Sequence, residues 1–466
     1  MSLPSNEHPY LSINDLAGFG TTLRRRSGSN QFNSIIEMDK DIPRRGHRAS
    51  LYPQTEDSEK FVGHNQTLLW FLRFMGLFPV FPTRDMRVRE AAKRNGLPDE
   101  YEQACKHVAV TLWSTVWLLV NAALFVFNII VIKNMGDEYG ILHPDVMATL
   151  LTALKPLHNV FNLAVFIGAR RYHVRFLRFM KIVDGDFFQG FGVHPRWTRG
   201  QLIIFALSFV TGLVPLCARV FEYILLSQIM HEQDWLAHIS LILVPMLSVW
   251  QLLPLYYFVY VNNILRFWFR HLKERIGSDP GLLENDSEFY YQHYLQLTKC
   301  VAAVGDFMNP FLFFSMATSV VVMCLTIYFL INAETVIQIS GNVTGMEIII
   351  AHTFPAWAVL QICVSFAYVL WIAVAGIKTN EEARFILTSV LSLNCFDEKT
   401  RFNVTRFIAR IQSQYSWGVS IWKTLPVERG LLFTLFGLIS TYAVLLLKLQ
   451  QDQSSKNCPT NNLTLR

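Results

Sequence analysis

Hydrophobic residues along this chain gather into seven long runs, at 108–132, 146–168, 201–226, 236–261, 301–331, 348–376 and 430–449. Each reaches the ~20 residues a helix needs to cross the hydrocarbon core of a bilayer. The pattern therefore predicts an all-α polytopic membrane protein with seven transmembrane helices. Two runs are interrupted: 146–168 carries Lys155, Pro156 and His158, and 201–226 carries Arg219 and Glu222. Ionisable groups within a span face protein or water and find partners. The last run differs in another way. At ~100° per residue, Gly430, Thr434, Gly437, Thr441, Val444 and Lys448 fall on one face, while Leu432, Phe433, Phe436 and Ile439 fall mostly elsewhere. Such a small-and-polar stripe is either a seam against neighbouring helices or one wall of a pore.

Shorter amphipathic stretches surround the spans. Residues 65–79, with Leu68, Leu69, Trp70, Phe71 and Leu72, are too few to cross and are expected at or beneath the inner face of the bundle. The connections after the fourth and sixth runs (264–273, 289–297 and 381–414) read as further helices. They are expected to bury apolar faces against each other or another subunit.

The loops give the orientation. Among connections 133–145, 227–235 and 332–347 the only Lys or Arg is Lys133. Connection 169–200 holds Arg170, Arg171, Arg175, Arg178, Lys181, Arg196 and Arg199, 262–298 holds Arg266, Arg270, Lys273 and Arg275, and 377–429 holds eight Lys or Arg. Positive-inside then predicts a cytoplasmic N-terminus and an extracellular C-terminus. On the outer side lie two glycosylation sequons, at Asn342 and Asn462; those at Asn65 and Asn403 lie inside. The expected organisation is a disordered cytoplasmic tail at 1–60, a seven-helix receptor-channel domain at 62–450 whose pore helix is 430–449, and a short extracellular tail at 451–466. The tail has basic runs before Ser27 and Ser50 and no apolar leader.

Composition agrees with this picture. Hydrophobic residues make up 52% and charged residues 16%, against about a quarter charged in soluble proteins. The net charge of +6 comes from residues beside the spans, as membrane topology requires, and is no sign of nucleic-acid binding. The seven cysteines form no CxxC pair. No metal constellation, phosphate loop or nucleophile–base arrangement points to a cofactor or an enzyme. A rhodopsin-like receptor fits poorly, since seven spans with the N-terminus inside reverse its topology, and Asn309-Pro310 lies in the fifth span, not the seventh. Prolines at 156, 215, 245, 254 and 310 could break helices as in a secondary transporter. No internal repeat accompanies them, and a channel suits the pattern better.

Two motifs carry a family resemblance. One is Leu69-Trp-Phe-Leu-Arg-Phe-Met-Gly76-Leu77-Phe78-Pro79; the other is Thr441-Tyr442 followed by five hydrophobic residues and Lys448-Leu449, in the final span. With the inverted topology, the chain resembles the insect gustatory and odorant receptors over 62–450, and their nematode gustatory-receptor-like branch most. The resemblance implies a ligand-gated ion channel built as a homotetramer, or as a heterotetramer with related subunits. The last helix of each copy would line the pore, with Val444 and Leu445 at a constriction that gates by dewetting. One departure is Lys448, where the family usually has Gln. It bears on ion selectivity, unless the lysine snorkels outward to the interface.

By the same resemblance, an unknown small molecule would bind in the outer half of the first six helices. That region offers Lys155, His158, Arg219, Glu222, Tyr223, His238, Tyr328, His352 and Trp357. A purely structural polar network is the competing reading; Arg219 and Glu222, at i,i+3, can pair with each other. Some relatives respond to light or peroxide; nothing in the sequence separates light-antenna from packing tryptophans, and packing is the favoured reading of Trp113, Trp117 and Trp371. Signalling through a G protein is the further alternative. The implied location is the plasma membrane, in a sensory neuron.

Overall fold

In a computed structural model the described residues are 57–78, 99–139, 144–193, 195–227, 235–278, 280–339, 345–391, 398–422 and 425–456. All belong to the unit Asp57–Arg466. Residues 1–56, with Ser27 and Ser50, lie outside them, as do Asn342 and Asn462.

The helices are α1 (Asp57–Phe74), α2 (Asp99–Tyr139), α3 (Pro144–Gly168), α4 (Arg170–Phe191), α5 (Trp197–Ser227), α6 (Trp235–Ser278), α7 (Pro280–Ile339), α8 (Gly345–Leu391), α9 (Glu398–Gln412) and α10 (Arg429–Lys456). A two-strand hairpin, β1 (Ser420–Ile421) and β2 (Leu425–Pro426), sits between α9 and α10. The all-α expectation holds. Among the described residues, six helices are long and apolar enough to cross a membrane, and they lie in α2, α3, α5, α7, α8 and α10. The expected fourth crossing, 236–261, falls in α6, where the side chains of the first turns lie outside the described residues.

Proline does not break these helices. Pro156, Pro215, Pro245, Pro254 and Pro310 all sit within continuous helix. A proline cannot donate to the carbonyl four residues back, so Pro254 frees the Trp250 carbonyl. Asn162 of α3 donates to that carbonyl at 3.3 Å, and its neighbour Asn159 donates to Leu247 O at 3.1 Å. The buried Asn162 carboxamide thus re-satisfies α6 where Pro254 leaves its ladder open.

Two boundaries differ from expectation. Connection 169–200 contains a full helix, α4. Phe176, Met180, Val183 and Phe187 form its buried face, while Arg170, Arg171 and Arg175 remain exposed. The basic residues had masked an apolar stripe of helical period. The sixth run does not end at 376 either. No residue there breaks the helix, and α8 continues to Leu391, burying Ala383, Ile386 and Val390.

With 60 residues, α7 is about 90 Å long, three times the ~30 Å hydrocarbon core. Its first half and the ends of α6 and α8 therefore form a layer beyond the bilayer, the basal layer, together with α4 and α9. Trp268, Phe269, Tyr294, Phe187 and Phe407 are fully buried there. Tyr294 packs on Phe407 at 5.2 Å and on Trp417 at 6.0 Å between ring centres.

Helix α1 docks on the bundle through its C-terminus. Gly76, at φ +73°, closes it with the paired bonds Leu77 N to Leu72 O and Gly76 N to Arg73 O, both 2.8 Å, the arrangement that favours glycine. Two carbonyls left over at a helix end need outside donors. The indole of Trp113 donates to Phe74 O and that of Trp250 to Met75 O, each at 2.8 Å. Beneath this turn, His173 of α4 is buried against Phe78, Phe176 and Phe307, with its Nε2 2.7 Å from the Tyr257 hydroxyl. Burial pulls the His173 imidazole down to about 3, so it stays neutral.

Candidate functional site

Helix α10 lies on α7 and α8 along one side only. Leu431, Leu432, Leu435 and Ile439 pack there, and Phe436 meets Phe366 edge-on at 5.4 Å. Tyr442, Ala443 and Leu446 continue that half-buried face. At ~100° per residue, Gly430, Thr434, Gly437, Thr441, Val444 and Lys448 centre roughly opposite it. Leu445 flanks that stripe on one side and Phe433 on the other. No residue of the span Arg429–Lys448 is buried. A Cβ on Gly430 or Gly437 would meet nothing within 4 Å, so the stripe faces open space along its length. Thr434 and Thr441 donate back to the carbonyls of Gly430 and Gly437, at 3.0 and 2.8 Å. Their hydroxyl protons are used within the helix and their oxygens remain as acceptors.

Lipid alone explains part of this exposure. Phe433, at 78% exposed, needs only acyl chains beside it, which are as apolar as leucine. A groove of glycines and threonines ending in a lysine is not lipid-seeking. Its position away from the packed face means that the stripe is not a seam within the subunit.

The base of α10 is held far more tightly. Asn380 of α8 donates from Nδ2 to Val419 O (3.0 Å) and Val427 O (3.1 Å), and accepts from Val419 N (2.9 Å). Gln414 donates to Asn380 O at 2.8 Å. Arg384 bonds both the Gln414 side-chain carbonyl and the Glu428 carboxylate. Arg429, the first residue of α10, donates to Glu381 at 2.8 Å. Gly376 permits the approach, because a Cβ there would lie 2.7 Å from Val427 Cγ1. Beyond the clamp, the hairpin tip places Trp422 edge-on to Phe313 at 4.9 Å, with a left-handed backbone (φ 54°) rare for a side chain of that size. None of these residues was a sequence candidate. The available signal was the polar burst Lys378-Thr-Asn-Glu-Glu-Ala-Arg384 inside an otherwise apolar helix.

The expected pocket residues are only partly described. His158 is buried, with Nε2 3.1 Å from Ser315 Oγ. Tyr368 donates to Gln251 O at 3.1 Å and reaches Ser315 at 3.4 Å. This hub joins α3, α6, α7 and α8 and closes the His158 ring off within the bundle. Lys155 and Tyr328 are half-buried. Arg219, Glu222 and Tyr223 on α5, His238 on α6 and His352 and Trp357 on α8 have side chains outside the described residues. The structure thus gathers Gly437, Thr441, Val444 and Lys448 on one face with Leu445 at its edge, and places His158 in a hub of other residues.

No family model matches the chain. By its helices it is a multi-pass membrane protein, and its fold is that of the insect olfactory receptors. It aligns with the structure of the insect olfactory receptor OR5 from Machilis hrabei in complex with eugenol at a TM-score of 0.50 and 13% identity, over 84% of this chain and all of that one. It is also 30% identical over 397 residues to the "Probable G-protein coupled receptor egl-47" of Caenorhabditis elegans, covering 83% of this chain and 74% of that protein. The chain belongs to the receptor family of that nematode protein, and it shares the fold of the insect olfactory receptor.

Proposed function

We propose that this protein is a chemosensory receptor of the plasma membrane that assembles as a tetrameric ligand-gated ion channel, from four copies or with related subunits. The stripe on α10 lines the pore and Val444 and Leu445 form its constriction. The observation that supports this reading is the placement of the small-and-polar stripe opposite the only packed face of an otherwise unburied span. The N-terminus is cytoplasmic in this reading, the basal layer lies in the cytoplasm, and Asn342 and Asn462 are glycosylated outside. An unknown small molecule binds among Lys155, Arg219, Glu222, Tyr223, Tyr328, His352 and Trp357, and His158 responds to it through the hub.

The test is a density map of the purified protein in lipid, with recordings from cells expressing Val444→Ala and Leu445→Ala. Four-fold symmetry with α10 at the axis, and a raised basal current in the variants, are expected. The name of the nematode relative supports a second reading, a receptor that signals through a G protein. A monomer in lipid with no current in any variant and G-protein activation in cells would replace the channel reading with that one.

A further inference from the structure

We infer that the pore passes small monovalent anions in preference to cations, and that Lys448 sets this choice. The inference rests on the reading of α10 as the pore wall. From Gly430 to Lys448 the chain has no Asp or Glu. At the base the charges are matched: Arg429 pairs with Glu381 and Arg384 with Glu428. Lys448 is exposed and shares the stripe of Gly437, Thr441 and Val444, and it is the charge that the sequence places on that face between Gly430 and Lys448. Rings of lysine or arginine select anions, whereas cation pores use rings of acids.

Asp452 comes one helical turn further out and carries the opposite sign. Position decides between them. Lys448 lies three residues beyond Leu445, a rise of about 4.5 Å. Asp452 lies seven residues beyond it, about 10.5 Å along the axis, at or past the ~8–10 Å over which physiological salt screens an exposed charge. The lysine ring therefore dominates the field at the constriction.

The experiment uses the full-length protein in membranes, in the wild type and in the Val444→Ala background that opens the constriction. Reversal potentials are read in asymmetric sodium chloride, with N-methyl-glucamine replacing sodium and gluconate replacing chloride in turn. The expected result is a reversal potential that follows chloride. Lys448→Gln is expected to lower the chloride-to-sodium permeability ratio by at least ~3-fold, and Lys448→Glu to invert it. As an independent readout, Thr441→Cys should react faster with an anionic than a cationic methanethiosulfonate added outside, and Lys448→Glu should reverse that order. A current that follows sodium, or a ratio unchanged in Lys448→Gln, overturns the inference while leaving the channel reading intact. No current in any background at normal surface expression, together with no modification of Thr441→Cys, overturns the channel reading and this inference with it.

Discussion

The two ends of the link between α8 and α10 obey opposite rules. At the base, one carboxamide satisfies three backbone groups, Val427 is fully buried, and Gly376 leaves no room for a methyl group. A few turns on, the span Arg429–Lys448 of α10 has no buried residue and two glycines at which an added Cβ would meet nothing within 4 Å. A segment that must keep its place is built from saturated polar bonds and close contact. One that must face another copy, or water, keeps its contacts to one side. The base therefore carries stability within the subunit, and the stripe contributes little packing there.

The sharpest way to break this contrast is Asn380→Ala. It strands the Val427 carbonyl and the Val419 N–H, at about 1–3 kcal/mol for each unsatisfied group, while the Val419 carbonyl keeps only its bond from Val427 N. We expect a large drop in melting temperature and in surface expression of the full-length protein, read by thermal-shift chromatography in detergent. Gly376→Val should follow closely, since its added carbons meet Val427, and overpacking costs about 1–3 kcal/mol. At the other end, Val444→Ala and Leu445→Ala should raise basal conductance while shifting the melting temperature of the solubilised subunit little. A large melting shift in these variants would show that the stripe is packed within the subunit.

Smaller effects sharpen the picture. His173 has its folded pKa depressed from 6.5 to about 3 by burial, so the folded state binds fewer protons than the unfolded one between those values. Its contribution is full above pH 6.5 and is lost progressively as the pH falls below it. Burial raises Asp186, further along the same helix, which acts in the opposite direction, favouring the folded state at low pH. The His173→Phe variant isolates the histidine: its melting temperature should fall less than that of the wild type between pH 7 and pH 5. The smallest change is expected for Arg429→Gln. It removes an ion pair whose arginine is three-quarters exposed, and such pairs contribute about 0–1 kcal/mol.

The spans were legible in the sequence because each is a local run of apolar residues, and the α10 stripe because it repeats at helical period. The clamp was not legible. Asn380 meets partners 39 and 47 residues away, and alone it looks like a polar residue on a helix surface. Strands of two residues leave no alternating pattern, so the hairpin was hidden too. Helix α4 was obscured because its arginines dominate its composition, although its buried face has the right spacing. His158 was read as a pocket residue from its depth in the membrane. Its partners Ser315 and Tyr368 are brought in by tertiary packing from α7 and α8, which no local pattern announces.

Helix α7 gives the molecule leverage. Pro310 lies inside it and opens its ladder part-way along, at the kind of position where helices bend. From Pro280 to Asn309 the arm runs 30 residues, about 45 Å. A bend of about 5° at the proline would swing the far end by about 4 Å over that length. The hub at Ser315 lies just beyond this fulcrum, and the aromatic packing around Tyr294 lies on the arm. Tyr294 lies 16 residues from the proline, about 24 Å, so the same bend would shift the ring packed on Phe407 and Trp417 by about 2 Å, half the swing at the far end.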